Sequence, residues 1–101
     1  MIIVNAKLNP KEDKIDEVIK QANKLIRLSR EHDGNISYDF YKNTQTSELL
    51  FVEKWQSTEA LQAHMKTDEF LEFGKNTKEL LVDEIDVELS YDEVLSSSSQ
   101  L

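Results

Sequence analysis

The segment that decides the fold runs from residue 49 to residue 73 and reads LLFVEKWQSTEALQAHMKTDEFLEF. Its first residues, Leu49–Val52, form an uninterrupted apolar run, which is typical of a strand covered on both faces. A helix over about residues 58 to 66 follows, and the i, i+3, i+4 rule places its histidine, His64, on the apolar side. Another helix restarts near Thr67. This strand–helix unit brings a titratable ring against a sheet.

The N-terminal third of the chain predicts a strand and a long helix. Ile2–Leu8 is rich in β-formers and opens with consecutive apolar residues, which favours a central strand. Asn9 is a predicted N-cap, Pro10 suits the first helical position, and Glu12 falls where a capping box requires an acid. An apolar stripe at alternating three- and four-residue spacing predicts a helix over about residues 11 to 32.

Two further strands alternate apolar and polar residues, which indicates half-buried edge strands. They cover residues 36–41 and 84–92. Gly34 is predicted to end the long helix in the left-handed conformation, and Gly74 weakens the last helix without forbidding it. The order β-α-β-β-α-β predicts an α+β, ferredoxin-like antiparallel sheet, with strands one and three central and both helices on one face.

The composition limits the classes of function. The chain has 101 residues, of which 39% are hydrophobic and 32% charged, and we expect one domain over residues 1–93 and a disordered Ser-rich tail over 94–101. The net charge of −8 argues against nucleic acid, and the lack of cysteine excludes disulfides and thiolate chemistry. No apolar stretch reaches the ~18 residues of a membrane span, so we expect a cytoplasmic protein without membrane partners.

The second face of the predicted sheet needs a cover. Leu50 and Val52 point opposite to Phe51, and the chain encodes no third layer to pack on them. A second copy of the same sheet would bury this face. We therefore expect a homodimer.

Several residues in this frame carry a family resemblance. The pattern Glu53-x-Trp55-x-x-x-x-Ala60-Leu61-x-x-His64, followed by Thr67 and Phe70, resembles the antibiotic-biosynthesis monooxygenase (ABM) family. The segment Gly34-Asn-x-x-Tyr38 is similar to the second strand of that family, and the likeness spans roughly residues 1 to 90. It implies a dimeric α/β barrel, in which two ferredoxin-like sheets close on each other.

The resemblance also implies an activity. The family includes cofactor-free enzymes that oxygenate quinols and anthrones, so we expect a monooxygenase that uses no cofactor and acts on a quinol or similar small aromatic with dioxygen. A deprotonated quinol can itself donate an electron to dioxygen. The protein then supplies an apolar cavity, a general base and hydrogen bonds to the developing anion. The chain has no Gly-rich phosphate loop and no metal-binding motif.

Two other functions stay open. The first is a non-catalytic, dimeric ligand-binding or stress-related module whose pocket holds an aromatic metabolite. The second is haem degradation, which is disfavoured because that branch of the family places Trp where His64 stands and uses a histidine further along the next helix. This chain has two histidines, His32 and His64, and neither occupies that later position.

His64 is the main catalytic candidate. An unperturbed imidazole, with a pKa near ~6.5, suits proton transfer at neutral pH. Glu53 is the candidate that orients it, since a carboxylate beside imidazole also raises its basicity. The alternative is a structural histidine hydrogen-bonded to Glu53. His32, at the predicted end of the first helix, is expected to be solvated and to interact with the helix dipole.

The candidate substrate-binding residues are aromatic or polar side chains near this segment. They are Asn5, Tyr38, Phe40, Trp55, Met65, Phe70 and Phe73. Each has a plainer interpretation. Packing in the core or at a dimer interface is the simpler explanation for Trp55. The other residues could be ordinary core or part of an amphipathic stripe. A first-strand asparagine holds substrate in several ABM relatives, but Asn5 is one residue out of register with the haem-degrading branch, and such a slip reverses the face.

Overall fold

A computed structural model describes residues 1–91, so the predicted domain end at residue 93 and the predicted tail over 94–101 lie outside the described residues. The regular elements, in chain order, are β1 (Ile2–Leu8), α1 (Ile15–Ser29), β2 (Asn35–Lys42), β3 (Leu49–Trp55), α2 (Thr58–Met65), α3 (Asp68–Thr77) and β4 (Asp86–Tyr91). Short 3-10 turns precede α1 and follow α3, at Glu12–Lys14 and Lys78–Leu80.

The four strands form one antiparallel sheet in the order β2-β3-β1-β4. This confirms the predicted ferredoxin-like topology, with the two apolar strands in the centre. Alternate residues of β1 and β3 are buried, among them Val4, Ala6, Phe51 and Trp55, and they face the helices. The core lies between this face of the sheet and α1, α2 and α3.

The start of the first helix differs from the prediction. The helix α1 begins at Ile15, and no side chain caps it. The backbone around Pro10 instead pairs with the segment after α3, since Lys11 N–H donates to Leu80 O at 2.8 Å and Val82 N–H donates to Asn9 O at 2.7 Å. Asn9 and Glu12 therefore do not form the predicted capping box, because α1 begins only at Ile15 and the Asn9 carbonyl accepts from Val82.

The helices α2 and α3 begin where side chains cap them. Ser57 Oγ accepts a hydrogen bond from Ala60 N–H at 3.1 Å, and Thr67 Oγ1 accepts from Phe70 N–H at 3.3 Å. The Thr67 hydroxyl also donates to His64 O at 2.7 Å, which ties the two helices together. Both predicted starts are confirmed, and α3 passes through Gly74 without a break.

The turn between α1 and β2 packs tightly against α2. Gly34 has a φ of 81°, as predicted for a left-handed residue, and its carbonyl accepts a hydrogen bond from Gln56 N–H at 2.9 Å. A Cβ at Gly34 would lie 2.5 Å from the Cβ of Ala60. Only glycine fits both conditions, and the close approach places the turn residue His32 beside α2.

The opposite face of the sheet is less covered. Ile3, Leu50 and Val52 are half-buried there, and Tyr41 on the edge strand is 55% exposed. Side chains on this face alternate with those of the core along β1 and β3. The described chain leaves an apolar sheet surface on this side.

Candidate active site

An apolar cavity of about 230 Å³ lies between the sheet and the helices α2 and α3. Its lining is mostly aliphatic and aromatic: Val4, Ala6, Leu25, Tyr38, Phe51, Glu53, Leu61, His64, Met65, Phe70, Phe73, Gly74, Ile85, Val87 and Leu89. Met65, Val87 and Leu89 are the more exposed members of this set, and they mark the side on which the cavity opens. The strand–helix unit of residues 49 to 73 supplies much of the lining.

Three polar side chains, Tyr38, Glu53 and His64, reach this cavity. All three are nearly inaccessible to solvent. Glu53 Oε1 accepts a hydrogen bond from Trp55 Nε1–H at 3.0 Å, and Tyr38 lies beside Glu53 on the neighbouring strand. The hydrogen bond from Trp55 thus holds the carboxyl group in place.

Burial reverses the usual order of the pKa values of Glu53 and His64. It raises the pKa of Glu53 to about 7, although the hydrogen bonds from Trp55 and Tyr38 act in the opposite direction. Burial also lowers the pKa of His64 to about 4, and the neighbouring His32 lowers it further while Glu69 raises it. The pKa of Tyr38 is raised far above its usual range by burial and by Glu53. Near neutral pH, Glu53 is the group poised to exchange a proton.

Glu53 does not orient His64 by a hydrogen bond, which corrects that expectation. His64 Nε2 lies 3.9 Å from Glu53 Oε1, beyond the range of a hydrogen bond. Burial also favours the neutral form of both groups, since it raises the pKa of Glu53 and lowers that of His64. The two groups are neighbours that share one end of the cavity.

His64 is held instead by His32. His64 Nδ1 and His32 Nδ1 are 3.0 Å apart, and His32 Nε2 lies 3.0 Å from Glu69 Oε2 on α3. The expectation that His32 is solvated is wrong, since its side chain is only 17% exposed. The Gly34 turn explains the error, because it folds the residue after α1 back against α2. The sequence does not single out Glu69, because no local pattern distinguishes it from the other acids of α3.

Aromatic side chains enclose the imidazole of His64. Its ring centroid lies 4.6 Å from that of Trp55, 5.4 Å from Tyr38 and 5.1 Å from Phe70. Trp55 is fully buried and packs behind the cavity without lining it, as the packing interpretation predicts. This box fixes the plane of the imidazole and excludes water from it.

The structure places the remaining candidates in two groups. Met65, Phe70 and Phe73 line the cavity. Phe40 does not line it, and packs instead on Phe51 with ring centroids 4.4 Å apart. Asn5 lies between two lining residues of β1 and so points to the opposite face of the sheet. A binding role for Asn5 in this cavity does not fit its position.

Within residues 1–91, no helix is long and apolar enough to cross a membrane. In the same part of the chain, no group of three or more His, Cys, Asp or Glu side chains is arranged to hold a metal ion.

The family model described as "Antibiotic biosynthesis monooxygenase" matches residues 1–76. These residues include most of the cavity lining, and also His64 and its neighbours His32, Glu53 and Glu69. The chain belongs to this family. Among its ABM relatives is "Putative monooxygenase YcnE" of Bacillus subtilis (strain 168), which is 32% identical over 88 residues, or 86% of this chain and 93% of that protein. An uncharacterised Synechocystis protein, sll1783, is 34% identical over 87% of this chain, and the match spans 60% of its length.

Solved structures of similar proteins share the fold. The structure of Rv0793 from Mycobacterium tuberculosis superposes with a TM-score of 0.86 at 27% identity, covering 92% of this chain and 97% of that one. Another antibiotic biosynthesis monooxygenase structure gives the same TM-score at 22% identity. The resemblance seen in the Glu53–His64 pattern is confirmed at the level of family and fold.

Proposed function

We propose that this ABM protein is a cofactor-independent monooxygenase that acts on a quinol or a similar small aromatic. The observation that carries the proposal is the apolar cavity, whose polar side chains, Tyr38, Glu53 and His64, all lie at one end. An aromatic ring fits the apolar walls, and its hydroxyl group would meet the polar end. This arrangement supplies what oxygen chemistry on an activated phenol requires.

The size of the cavity supports a small substrate. Its volume of about 230 Å³ lies below the range of roughly 300–1,000 Å³ for drug-sized ligands. One or two fused rings suit this space better than a large polycyclic system or haem.

The proposed reaction balances without a cofactor. A hydroquinone loses a hydroxyl proton to a base, and the resulting anion passes one electron to dioxygen. Recombination of the two radicals forms a C–O bond, and the peroxide then loses water, so that hydroquinone and dioxygen give hydroxyquinone and water. Glu53 is the base in this scheme, since its pKa of about 7 suits proton transfer at neutral pH. This replaces the sequence-based assignment of His64 as the base.

His64 and Tyr38 then act as hydrogen-bonding groups. Burial lowers the pKa of His64 to about 4, so the ring is neutral at pH 7 and does not charge the apolar cavity. Tyr38 keeps its proton, because burial raises its pKa, and its hydroxyl is available as a donor beside Glu53. Such preorganised groups stabilise an anion that develops at the polar end.

We also propose that the protein works as a homodimer. The half-buried Ile3, Leu50 and Val52 on the second face of the sheet form the surface that a second copy would cover. Burying apolar side chains contributes roughly 25 cal/mol per Å², so this face favours association. The substrate and dioxygen would then reach each protomer from its β4 side.

Dissolved-oxygen uptake by the purified protein tests the activity. Hydroquinones, naphthohydroquinones and anthrones are supplied without added flavin or metal, and autoxidation is subtracted. We expect uptake that depends on the protein and that falls about 100-fold or more in kcat for Glu53→Gln, since general base catalysis contributes roughly 10²–10⁴-fold. His64→Phe keeps a ring within the aromatic box but removes both nitrogens, and it is also expected to lower kcat.

A matched control uses Glu59→Gln, which makes the same change on an exposed position of α2. Its kcat should equal that of the wild type. Uptake that is unchanged in Glu53→Gln would contradict the assignment of the base. If no substrate supports uptake but aromatics bind with His64-dependent affinity, the protein is a ligand-binding module and the monooxygenase proposal fails.

A further inference from the structure

A hydrogen-bonded chain of side chains leads away from the cavity. It starts at His64, continues to His32 through a 3.0 Å contact between their Nδ1 atoms, and reaches Glu69 through a 3.0 Å contact from His32 Nε2. At the cavity end, His64 Nε2 lies 3.9 Å from Glu53 Oε1. These residues come from β3, α2, the Gly34 turn and α3, so only the tertiary fold assembles the chain.

Exposure is low at the cavity end of this chain and higher at the Glu69 end. The side chains of Glu53 and His64 are 7% and 2% exposed, whereas His32 is 17% and Glu69 24% exposed. One end is therefore enclosed in the apolar cavity, and the other end meets solvent at the first turn of α3. A buried acid–base group needs such a route if its proton is to exchange with water.

The carboxylate of Glu69 determines which nitrogens carry protons. A carboxylate only accepts hydrogen bonds, so His32 donates from Nε2. In a neutral His32 ring, Nδ1 is then an acceptor, and His64 must donate to it from its own Nδ1. His64 Nε2 is left as a lone pair on the side of Glu53 and the cavity.

We propose that His32 and Glu69 are positioning residues that hold His64 in the Nδ1–H tautomer and, with His64, form a proton relay between Glu53 and solvent. The tautomer assignment stands on the hydrogen-bond geometry alone. The role of the relay in turnover rests on the proposed monooxygenase function.

Proton transfer along the relay needs no change in electron count. A proton on Glu53 passes to His64 Nε2 as the side chains close the 3.9 Å gap, while the Nδ1 proton of His64 passes to His32 Nδ1. The Nε2 proton of His32 passes to Glu69, and from there to water. Each ring ends with its proton on the other nitrogen, and the reverse sequence returns a proton to the cavity.

The titratable groups around His64 favour proton transfer from Glu53 toward Glu69. Glu53 on β3 and Tyr38 on β2 lie on the cavity side, and the pKa of both is raised by burial. His32 in the turn and Glu69 on α3 lie on the other side, and the pKa of Glu69 is lowered by a hydrogen bond to its own backbone and by His32. A negatively charged Glu69 therefore attracts the proton away from the cavity.

Long-range ¹H–¹⁵N correlation spectra of ¹⁵N-labelled protein test the tautomer without any substrate. They are recorded at pH 9, above the ordinary histidine pKa of ~6.5. We expect His64 to be protonated on Nδ1 in the wild type, and we expect this preference to be lost in Glu69→Ala. Asp68→Ala is the matched control, because it removes the same charge from the first turn of α3 without touching His32.

Two spectroscopic results would overturn the positioning role. One is a wild-type His64 that carries its proton on Nε2. The other is a Glu69→Ala variant whose His64 signals match the wild type. Because Glu69 is on the surface side of α3, its replacement is not expected to prevent folding, and the Asp68→Ala spectra show any effect of the helix terminus itself.

Turnover tests the relay once a substrate supports oxygen uptake. Loss of a carboxylate that orients a metal-bound histidine typically costs 10–100-fold in activity. By analogy, we expect kcat to fall about tenfold in Glu69→Ala with KM nearly unchanged. Asp68→Ala should stay within about twofold of the wild type. Equal losses in both variants would reject the relay. If the wild type shows no uptake, the proposed function fails, and the spectra alone decide the tautomer assignment.

Discussion

Glu53 and His64 differ from their solution chemistry because both are buried. Burial disfavours the charged form, which raises the pKa of an acid and lowers that of a base. Glu53 shifts from 4.5 to about 7, and His64 shifts from 6.5 to about 4. From the residue types alone, histidine is the natural base at neutral pH. In this protein, burial makes Glu53 and not His64 the group whose pKa lies near neutral pH.

These shifts predict a pH-dependent stability. Because Glu53 binds its proton more tightly in the folded protein, its contribution is complete below pH 4.5 and is lost as the pH rises through 7. Glutamine does not titrate, so Glu53→Gln does not lose this contribution to stability as the pH rises. The free energy of unfolding of the variant, relative to the wild type, should therefore increase by on the order of 3 kcal/mol between pH 4.5 and 7. Urea unfolding at several pH values measures the difference.

His64 contributes the opposite slope, since its stabilisation is present above pH 6.5 and lost as the pH falls through 4. The contributions of Glu53 and His64 to the pH dependence of stability offset each other in the wild type. The difference in unfolding free energy between Glu53→Gln and the wild type is therefore more informative than the wild-type values alone. Glu59→Gln, on an exposed position, serves as the control. Parallel curves for Glu53→Gln and the wild type would mean that the pKa of Glu53 is not raised.

Gly34 is constrained both by its backbone conformation and by its close approach to Ala60. Gly34→Ala places an L-residue at a φ of 81° and a Cβ 2.5 Å from that of Ala60. The left-handed conformation costs about 1–2 kcal/mol and overpacking about 1–3 kcal/mol, so we expect a loss of about 2–5 kcal/mol in unfolding free energy. Adding Ala60→Gly should relieve the steric part alone, as a double-mutant cycle would show. A loss below about 0.5 kcal/mol, well short of these penalties, would contradict the geometry.

At the scale of elements, α3 contains a position that can be improved. Gly74 lies in the helix interior, and a Cβ there would meet no atom within 4 Å. Gly74→Ala should stabilise the protein by roughly 0.5–1 kcal/mol, because alanine loses less backbone entropy on folding. The expected rise in Tm is about 2–8 °C for a domain of this size. An unchanged or lower Tm by calorimetry would show that the site is sterically occupied.

The start of the first helix shows how a tertiary contact overrides a local signal. Asn9, Pro10 and Glu12 form a sound helix-start pattern. The structure uses the backbone of Asn9 and Lys11 to pair with Leu80 and Val82 instead. The N-caps Ser57 and Thr67, which have no such competing partner, agree with the local rule. Capping signals are reliable where no distant strand or turn claims the same backbone groups.

At the scale of the molecule, the open sheet face predicts the state of assembly. Light scattering should give twice the chain mass of 11.7 kDa at micromolar concentration. Val52→Lys places a charge in the centre of that face and should reduce the mass to that of one chain. Leu71→Lys adds the same charge on an exposed position of α3 and should remain dimeric. A single-chain mass for the wild type would reject the dimer.

The strand order, the apolar faces of the helices and the family could be predicted from the residues alone, because each depends on periodicity or on residues close together in the chain. Alternation along β2, apolar runs in β1 and β3, and the Glu53–His64 pattern are all of this local kind. The sequence also placed Glu53 and His64 in one cluster.

The hydrogen-bond partners within that cluster depend on contacts between distant parts of the chain. His32 and Glu69 are 37 residues apart and meet because the Gly34 turn packs on α2. The pKa values of Glu53 and His64 likewise follow from burial, which depends on contacts between elements that are distant in sequence. Asn5 fell on the other face for a similar reason, since the register of a strand is a property of the sheet and not of one residue.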